Sequence, residues 1–459
     1  MVQRLRALFD GDGDGYSALL AGGDCDDDDP KIGPHAREIP GNGIDDNCVG
    51  GDAPVEDIAD VAPPSAPPTA EPVAGTTEPP PAPKPRHNVV VILIDTLRPD
   101  HLGLYGYERP TSPNIDAWAR DAVVFDNVWA QGPNTPRSMP SIFTGRYPSR
   151  IQWVERFANY GALKPENESM FEIFQAAGYR TEVISAHWYW ERAAGIKDGV
   201  DDWDNRGFTT IKESNTQTIA HELTPRAVAR IEALAGGEQP FFLMVHYFEP
   251  HGRYMNQPTA KVFGKSLEDK YDSEISYVDL HLAPVFAALD KPGVREKTVV
   301  IVTADHGEAF KEHGLYFHGR TVYHEELRVP LAVRVPGVEP RRIPDLTGLI
   351  DLLPTLADMM GLKAAKAQGR SFLPALAGEA LPSRMLFGEQ LPYPNYATHM
   401  VGVVRSDGMR AVRNVTDNVT EVFDLNRDPK EQTNLLSADP AAAEDLRQAL
   451  DRFLDADPG

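Results

Sequence analysis

The run NVVVILI (88–94) is apolar at every position after the first and stops at an acid, Asp95. A continuous apolar run of this length, bounded by polar residues, fits a strand buried on both faces rather than one with a wet side. Four more runs have the same character: TEVISA (181–186), PFFLMVHY (240–247), TVVIVTA (298–304) and VPLAVRV (329–335). Helix-like stretches lie between them, at residues 169–177, 273–289 and 349–360. That alternation predicts an α/β fold, with helices on both faces of a central sheet. From about residue 384 the strand signals shorten (RMLFGE, MVGVVRS, GMRAVRN, TEVFDL) and a last helix is expected over 441–453. This tail reads as a small antiparallel sheet with one helix packed on it. No stretch reaches the roughly 18 apolar residues needed to span a bilayer, so no membrane anchor is visible in the chain.

The net charge of −23 is unevenly placed. Residues 1–53 hold 12 acids against 4 bases, and residues 88–459 hold 51 against 39. Such a surface argues against nucleic acid as a partner, since binding a phosphate backbone needs clustered Lys and Arg. An anionic small substrate stays open, because a bound cation inverts the local field. Asp10, Asp12 and Asp14 alternate with glycine in a segment that begins like an EF-hand loop, although Ala21 stands where a bidentate Glu is required. With Asp24 and Asp26 nearby, these carboxylates form a candidate Ca²⁺ module; a solvated acidic tail is the alternative. The module, with its EIPGNGIDDNC segment, resembles the MopE-like Asp/Cys metal-binding motif of exported bacterial proteins. Cys25 and Cys48, the two cysteines of the chain, both lie in it. A bridge between them would stabilise so small a unit by about 3 kcal/mol and would point to an extracytoplasmic setting, at the cell surface or in the periplasm; two free thiols are the alternative. MVQRLRALFD has no leader-like apolar core, so export implies a start downstream of a leader or anchor. Residues 54–87 are Pro/Ala/Thr/Glu-rich and read as an extended spacer. The expected organisation is therefore an acidic module (1–53), a linker (54–87), a catalytic domain (88–380) and a C-terminal subdomain (381–459).

In open α/β sheets functional groups gather just beyond the carboxyl ends of the strands. Asp95 ends one run, and Asp305-His306 follow another. Two carboxylates and an imidazole make a ligand set for a borderline divalent cation such as Zn²⁺ or Mn²⁺. GPNTPRSMPSIFTGR (132–146) adds a hydroxyl, Thr135, just ahead of a short helix expected to begin at Ser138. A hydroxyl at that position faces backbone N–H groups that favour an anion, and a cation beside it would activate it as a nucleophile.

These motifs, with TSPNIDAWA, HYFEPHGRY, the block VIVTADHGEAFKEHGLYFHGRTVYHEELRVPLAVRVPG, LIDLLPTLADMMGL and EVFDLNRDPKEQTNL, resemble the sulfatase branch of the alkaline-phosphatase superfamily in order and across residues 88–459. The resemblance implies an alkaline-phosphatase-like mixed sheet and one divalent metal, or a second as well. Asp95, Asp305 and His306 match the family's ligands, and Thr135 stands at its nucleophile position. His251, His318 and Arg320 match residues that contact the transferred group or its leaving oxygen. Glu249 or His246 is a candidate for a second ion, and Arg98 and Arg137 are candidate anion contacts.

Two departures bear on the chemistry. Formylglycine sulfatases carry Cys or Ser where this chain has Thr135, and an Arg where it has Met139. Thr96 replaces a neighbouring Asp of many calcium-using members, which tilts the site towards Zn²⁺ or Mn²⁺ while leaving Ca²⁺ open. A Thr nucleophile is similar to that of the superfamily's phosphodiesterases, phosphatases and phospho-headgroup transferases. The expected substrate is a small, lipid-linked or glycan-linked anionic ester. The alternatives are a sulfuric ester hydrolase that works without formylglycine, and a calcium-stabilised binding protein whose sulfatase-like domain is inactive. Residues 151–235 and 252–270 are expected to supply the specificity loops.

Overall fold

The computed structural model describes residues 86–209, 219–257, 259–394, 396–436 and 440–456. The acidic module, with Asp10, Asp12, Asp14, Asp24, Asp26, Cys25 and Cys48, and nearly all of the Pro-rich segment lie outside the described residues. The catalytic part is organised by an eight-stranded sheet whose members, in chain order, are β1 (Asn88–Ile94), β2 (Val123–Phe125), β3 (Arg180–Ser185), β4 (Asp202–Asp204), β5 (Phe241–Tyr247), β6 (Thr298–Thr303), β7 (Leu331–Arg334) and β8 (Arg341–Ile343). Their order across the sheet is β8-β2-β7-β6-β1-β5-β3-β4. Strands β6, β1, β5, β3 and β4 run parallel, whereas β7 pairs antiparallel with both β6 and β2. The sheet is mixed, as the resemblance to the sulfatase branch implies. Every residue of β5 and β6 is buried, and in β1 all but Asn88 are, which is why those runs lack polar alternation.

The helices that matter for the site are α1 (Thr135–Thr144), α2 (Met170–Ala176), α3 (Ala220–Ala235), α4 (Leu267–Leu289) and α5 (Leu352–Met360). Two begin elsewhere than expected, and α3 has no counterpart among the expected helices. Helix α1 starts at Thr135 rather than Ser138, because the Asn134 side chain accepts from the Arg137 N–H and Pro136 is harmless in a first turn. Helix α4 begins at Leu267, not 273, with a reciprocal Ser266/Asp269 capping box. The C-terminal part is a four-stranded antiparallel meander, β9 (Met385–Gln390), β10 (Met400–Arg405), β11 (Met409–Asn414) and β12 (Val419–Asp424), followed by α6 (Pro440–Asp455). Ala443, Leu446 and Leu450 of α6 are buried with the meander's Val401, Val403 and Val412 in the hydrophobic core. No described helix is long and apolar enough to cross a membrane.

An ion-pair latch joins the meander to the catalytic part. Both nitrogens of His313 donate, Nδ1 to Glu325 Oε1 (2.7 Å) and Nε2 to the Glu431 carbonyl (2.9 Å), and the ring stacks on Tyr323 at 3.7 Å. Glu431 in turn pairs with buried Arg410 at 2.5 Å. His313, His324 and Glu325 lie close enough to mimic a cation site, but a ring with two donated protons has no lone pair for a metal. Burial lowers the His313 pKa, and the bond to Glu325, its charge and the Glu431 carbonyl outweigh this and raise it to about 9. A value raised above that of the unfolded chain makes the contribution complete below pH 6.5 and lost as the pH climbs through 9. Thermal unfolding should therefore show a loss of about 2 kcal/mol across that window, allowing for solvent screening. His313→Gln should flatten that part of the profile.

Candidate active site

Four adjacent parallel strands deliver polar groups to one point at their carboxyl ends. Asp95 follows β1, Asp305 and His306 follow β6, His246 is the penultimate residue of β5, and His187 lies two residues past β3. The register aligns them, Leu93 standing opposite both Thr303 and His246, and His246 opposite Ser185. Asp95, His246, Asp305 and His306 are completely buried. Just past Asp95 the chain turns through Thr96 at φ 56°, a conformation that a β-branched residue holds only under about 1–3 kcal/mol of strain. Its hydroxyl donates to the Pro250 carbonyl (3.0 Å), which commits it away from the cluster.

Helix α1 aims its first residue at the same point. Thr135 Oγ1 lies 3.3 Å from His306 Nε2. That nitrogen is also 3.5 Å from Asp95 Oδ1 and 3.4 Å from Asp305 Oδ2. His306 Nδ1 donates to the Gly307 carbonyl (2.9 Å), so the lone pair of Nε2 faces the three oxygens. Gly307 is required here: a Cβ would sit 2.2 Å from the Glu325 carbonyl, where the backbone packs against the turn at Glu325 and Glu326.

The donor set fits a divalent cation. Both oxygens of Asp95 and Oδ2 of Asp305 are buried without a hydrogen-bond partner, an arrangement that would destabilise the fold unless a positive charge compensates. Burial, and then the Asp305 charge, push Asp95 well above the usual carboxylate range. Spacings of 3.3–3.5 Å between donors are those that metal bonds of about 2.0–2.1 Å at tetrahedral angles impose.

Above the cluster opens a cavity of about 410 Å³, lined by Asn134, Thr135, His187, His251, His318 and a rim that includes Tyr160, Trp188, Tyr393 and Tyr396. Arg192 is stacked on Trp188 and Tyr160. His318 Nδ1 contacts Glu308 Oε1 at 3.0 Å, and Glu308 also accepts from the Tyr254 hydroxyl. His251 Nδ1 faces the Gly252 carbonyl at 3.1 Å. Burial lowers His318 to about 4 and His251 to about 3, and raises Glu308 to about 7. Both imidazoles are thus neutral near pH 7.

Asp95, Asp305, His306, Thr135, His251 and His318 are brought together; several other candidates are not. Arg98 is no anion contact, because Asp100, Glu312 (2.5 Å) and the Glu308 carbonyl already hold its guanidinium. Arg137 is buried behind the cavity wall, stacked on Trp153 and Tyr393 and donating to the Ala158 carbonyl. Arg320 lies over Tyr396 at 5.1 Å and is not a lining residue. Glu249 belongs to none of the carboxylate–histidine groups around Asp95; its Oε1 accepts the Ile219 and Ala220 amides at the start of α3. His187 was not anticipated, although the strand-end rule that finds Asp95 reaches it two residues past a legible strand. Glu308, inside Asp-His-Gly-Glu, gave no signal of its partnership with a histidine ten residues on.

Comparison with known proteins bears on the family and the fold. The sulfatase family profile matches residues 87–362, the C-terminal profile of N-sulphoglucosamine sulphohydrolase matches 311–456, and that of the MopE metal-binding motif matches 24–53. The uncharacterised sulfatase YidJ of Escherichia coli is 24% identical over 76% of this chain and 83% of its own length. The fold is shared with a 2-O glycosaminoglycan sulfatase (TM-score 0.67, 18% identity, 80% of this chain and 92% of that one). It is shared too with the phosphonate monoester hydrolase of Agrobacterium radiobacter (TM-score 0.62, 18% identity, 80% and 95%).

Proposed function

The chain belongs to the sulfatase family, and from that premise we propose a metal-dependent ester hydrolase or transferase that uses Thr135 as nucleophile and prefers phosphorus to sulfur. The observation that carries this reading is Thr135 Oγ1, 3.3 Å from His306 Nε2 at the head of α1 and on the wall of the cavity. A threonine Cβ already bears a methyl group and cannot become the aldehyde of formylglycine. The aldehyde hydrate that would expel sulfate from a covalent intermediate is therefore closed to this chain. A phosphoryl group needs no such help, because water can attack phosphorus directly.

A divalent cation held by Asp95, Asp305, His306 and Thr135 supplies Lewis acidity to the transferred group. The imidazole donor favours Zn²⁺ or Mn²⁺ over Ca²⁺. The positive end of α1 favours the anion beside Thr135. As the Thr135 oxygen bonds to phosphorus and the ester P–O bond breaks, the hydroxyl proton moves to the leaving oxygen. His318, braced by Glu308, is the carrier, with His251 beside it. Water, or an acceptor alcohol, then attacks phosphorus, the Thr135–phosphorus bond breaks, and the attacking group's proton returns to Thr135. The aromatic rim with Arg192 suits an anionic ester attached to a ring, sugar or aryl, and a lipid-linked ester remains within reach of the open side. The Asp/Cys motif at 24–53 supports an extracytoplasmic setting.

A second reading, sulfuric ester hydrolysis without formylglycine, draws on the sulfatase names of curated relatives such as arylsulfatase A of Homo sapiens. One panel separates the two: an aryl sulfate, an aryl phosphate and an aryl phosphodiester, each with metal-replete enzyme. The phosphodiester should exceed the sulfate by about 10²-fold in kcat/KM. The reverse order overturns the proposal.

A further inference from the structure

Five histidines, His187, His246, His251, His306 and His318, surround Asp95 or the cavity above it, and by proximity Asp95 forms two ligand triads, one with His187 and His251 and one with His246 and Asp305. Proximity alone would make this a two-metal centre. The hydrogen bonds at the far nitrogen of each ring sort the histidines differently. His306 and His251 face backbone carbonyls with Nδ1, and His318 faces a carboxylate. Those oxygens accept, so each Nδ1 carries the proton and each Nε2 a lone pair. His246 Nδ1 instead receives the indole N–H of Trp190 (3.2 Å), and His187 Nδ1 receives the backbone N–H of Tyr189 (3.0 Å). An indole and a backbone amide can only donate. Both Nδ1 atoms are therefore lone pairs, and the neutral rings carry their proton on Nε2. Those two Nε2 atoms approach the same oxygen, Asp95 Oδ2, at 3.4 and 3.5 Å.

We infer that His187 and His246 are positioning residues rather than metal ligands: as Nε2–H tautomers they brace Oδ2 of Asp95 from two sides, leave Oδ1 for the cation beside His306, and make the cluster a one-cation site. This rests on the cation reading of the proposed function and decides what that reading leaves open. For either ring to ligate through Nε2 it would have to shed a second proton or break its bond to Trp190 or Tyr189. A metal-binding histidine normally shows the opposite pattern, donating its far N–H to an acceptor, as His306 does.

The test is cation content and affinity of the full chain, by elemental analysis and chelator competition, with His306→Gln as reference. Glutamine keeps an N–H donor near the position of Nε2 but is a poor ligand. His187→Gln and His246→Gln should keep the wild-type cation content, with affinity within about threefold. His187→Leu, which removes the donor at a cavity-lining position, should weaken affinity by about tenfold or more. Multiple-bond ¹H–¹⁵N spectra of histidine-labelled protein should show His187 and His246 protonated on Nε2. Loss of one cation per chain in either Gln variant, or an Nδ1–H signal from these rings, overturns the inference. If His306→Gln keeps its cation, the reading beneath it fails, and that result is separate from the other two.

Discussion

Thr135→Ala should lower turnover of an aryl phosphodiester by at least about 10⁴-fold while cation content stays near wild type. The size follows from removing the nucleophile outright, since the groups left behind bind and polarise but do not attack. Little else is disturbed. Thr135 is 2% exposed, and the helix keeps its Asn134 cap and Pro136 in the first turn. Three donors, Asp95, Asp305 and His306, would remain for the proposed cation. Thr135→Ser restores a hydroxyl at the same place and should recover most of the rate. Rapid acid quench followed by mass spectrometry should find a phosphoryl adduct on the peptide carrying Thr135, and none in the Ala variant. Turnover by the Ala variant within tenfold of wild type would mean that another group attacks.

The interior of the sheet was legible because β1, β5 and β6 are buried on both faces and therefore announce themselves as unbroken apolar runs. Strands β2, β4 and β8, the last two at the sheet's edges, are three residues long and give no such run; only pairing to neighbours far along the chain makes them strands. Helix α3 escaped notice as well. Its buried stripe of Leu223, Ala227 and Ile231 is helical in spacing, but Pro225 interrupts the pattern. At the site, the groups placed next to strand ends could be read, and Asp95, Asp305 and His306 converge with Thr135. Roles that depend on a distant partner could not. Arg98 looks like an anion contact until Glu312, 214 residues away, occupies it. The cavity rim draws Tyr160, Trp188, Tyr393 and Tyr396 from separate loops, and no spacing rule joins them. Nor does sequence reveal that Trp190 and the Tyr189 amide set the tautomers of two histidines.

Asp95→Asn should separate function from stability in opposite directions. Activity should fall by about 10³-fold or more, because the site loses one of its two carboxylates and with it much of its hold on the cation. In the presence of chelator, however, the variant should be the more stable protein, by about 2 kcal/mol. Without a cation the wild type must keep a completely buried carboxyl whose Oδ1 has no donor and whose Oδ2 has only the long contacts to His187 and His246. An asparagine suits that environment better than a carboxylate does. Its carbonyl can face the Nε2–H groups of His187 and His246, and its amide can donate towards the Nε2 lone pair of His306, 3.5 Å from Asp95 Oδ1. Excess Zn²⁺ or Mn²⁺ should reverse the order, since a ligand that binds only the folded state stabilises it by RT ln(1 + [L]/Kd) and the variant binds it weakly. The measurement is a pair of thermal unfolding scans for each protein, one with chelator and one with excess cation. The two pairs of midpoints should cross. If the wild type melts above the variant under both conditions, Asp95 is adequately solvated without a cation, and the electrostatic case for a metal at this point in the fold is lost.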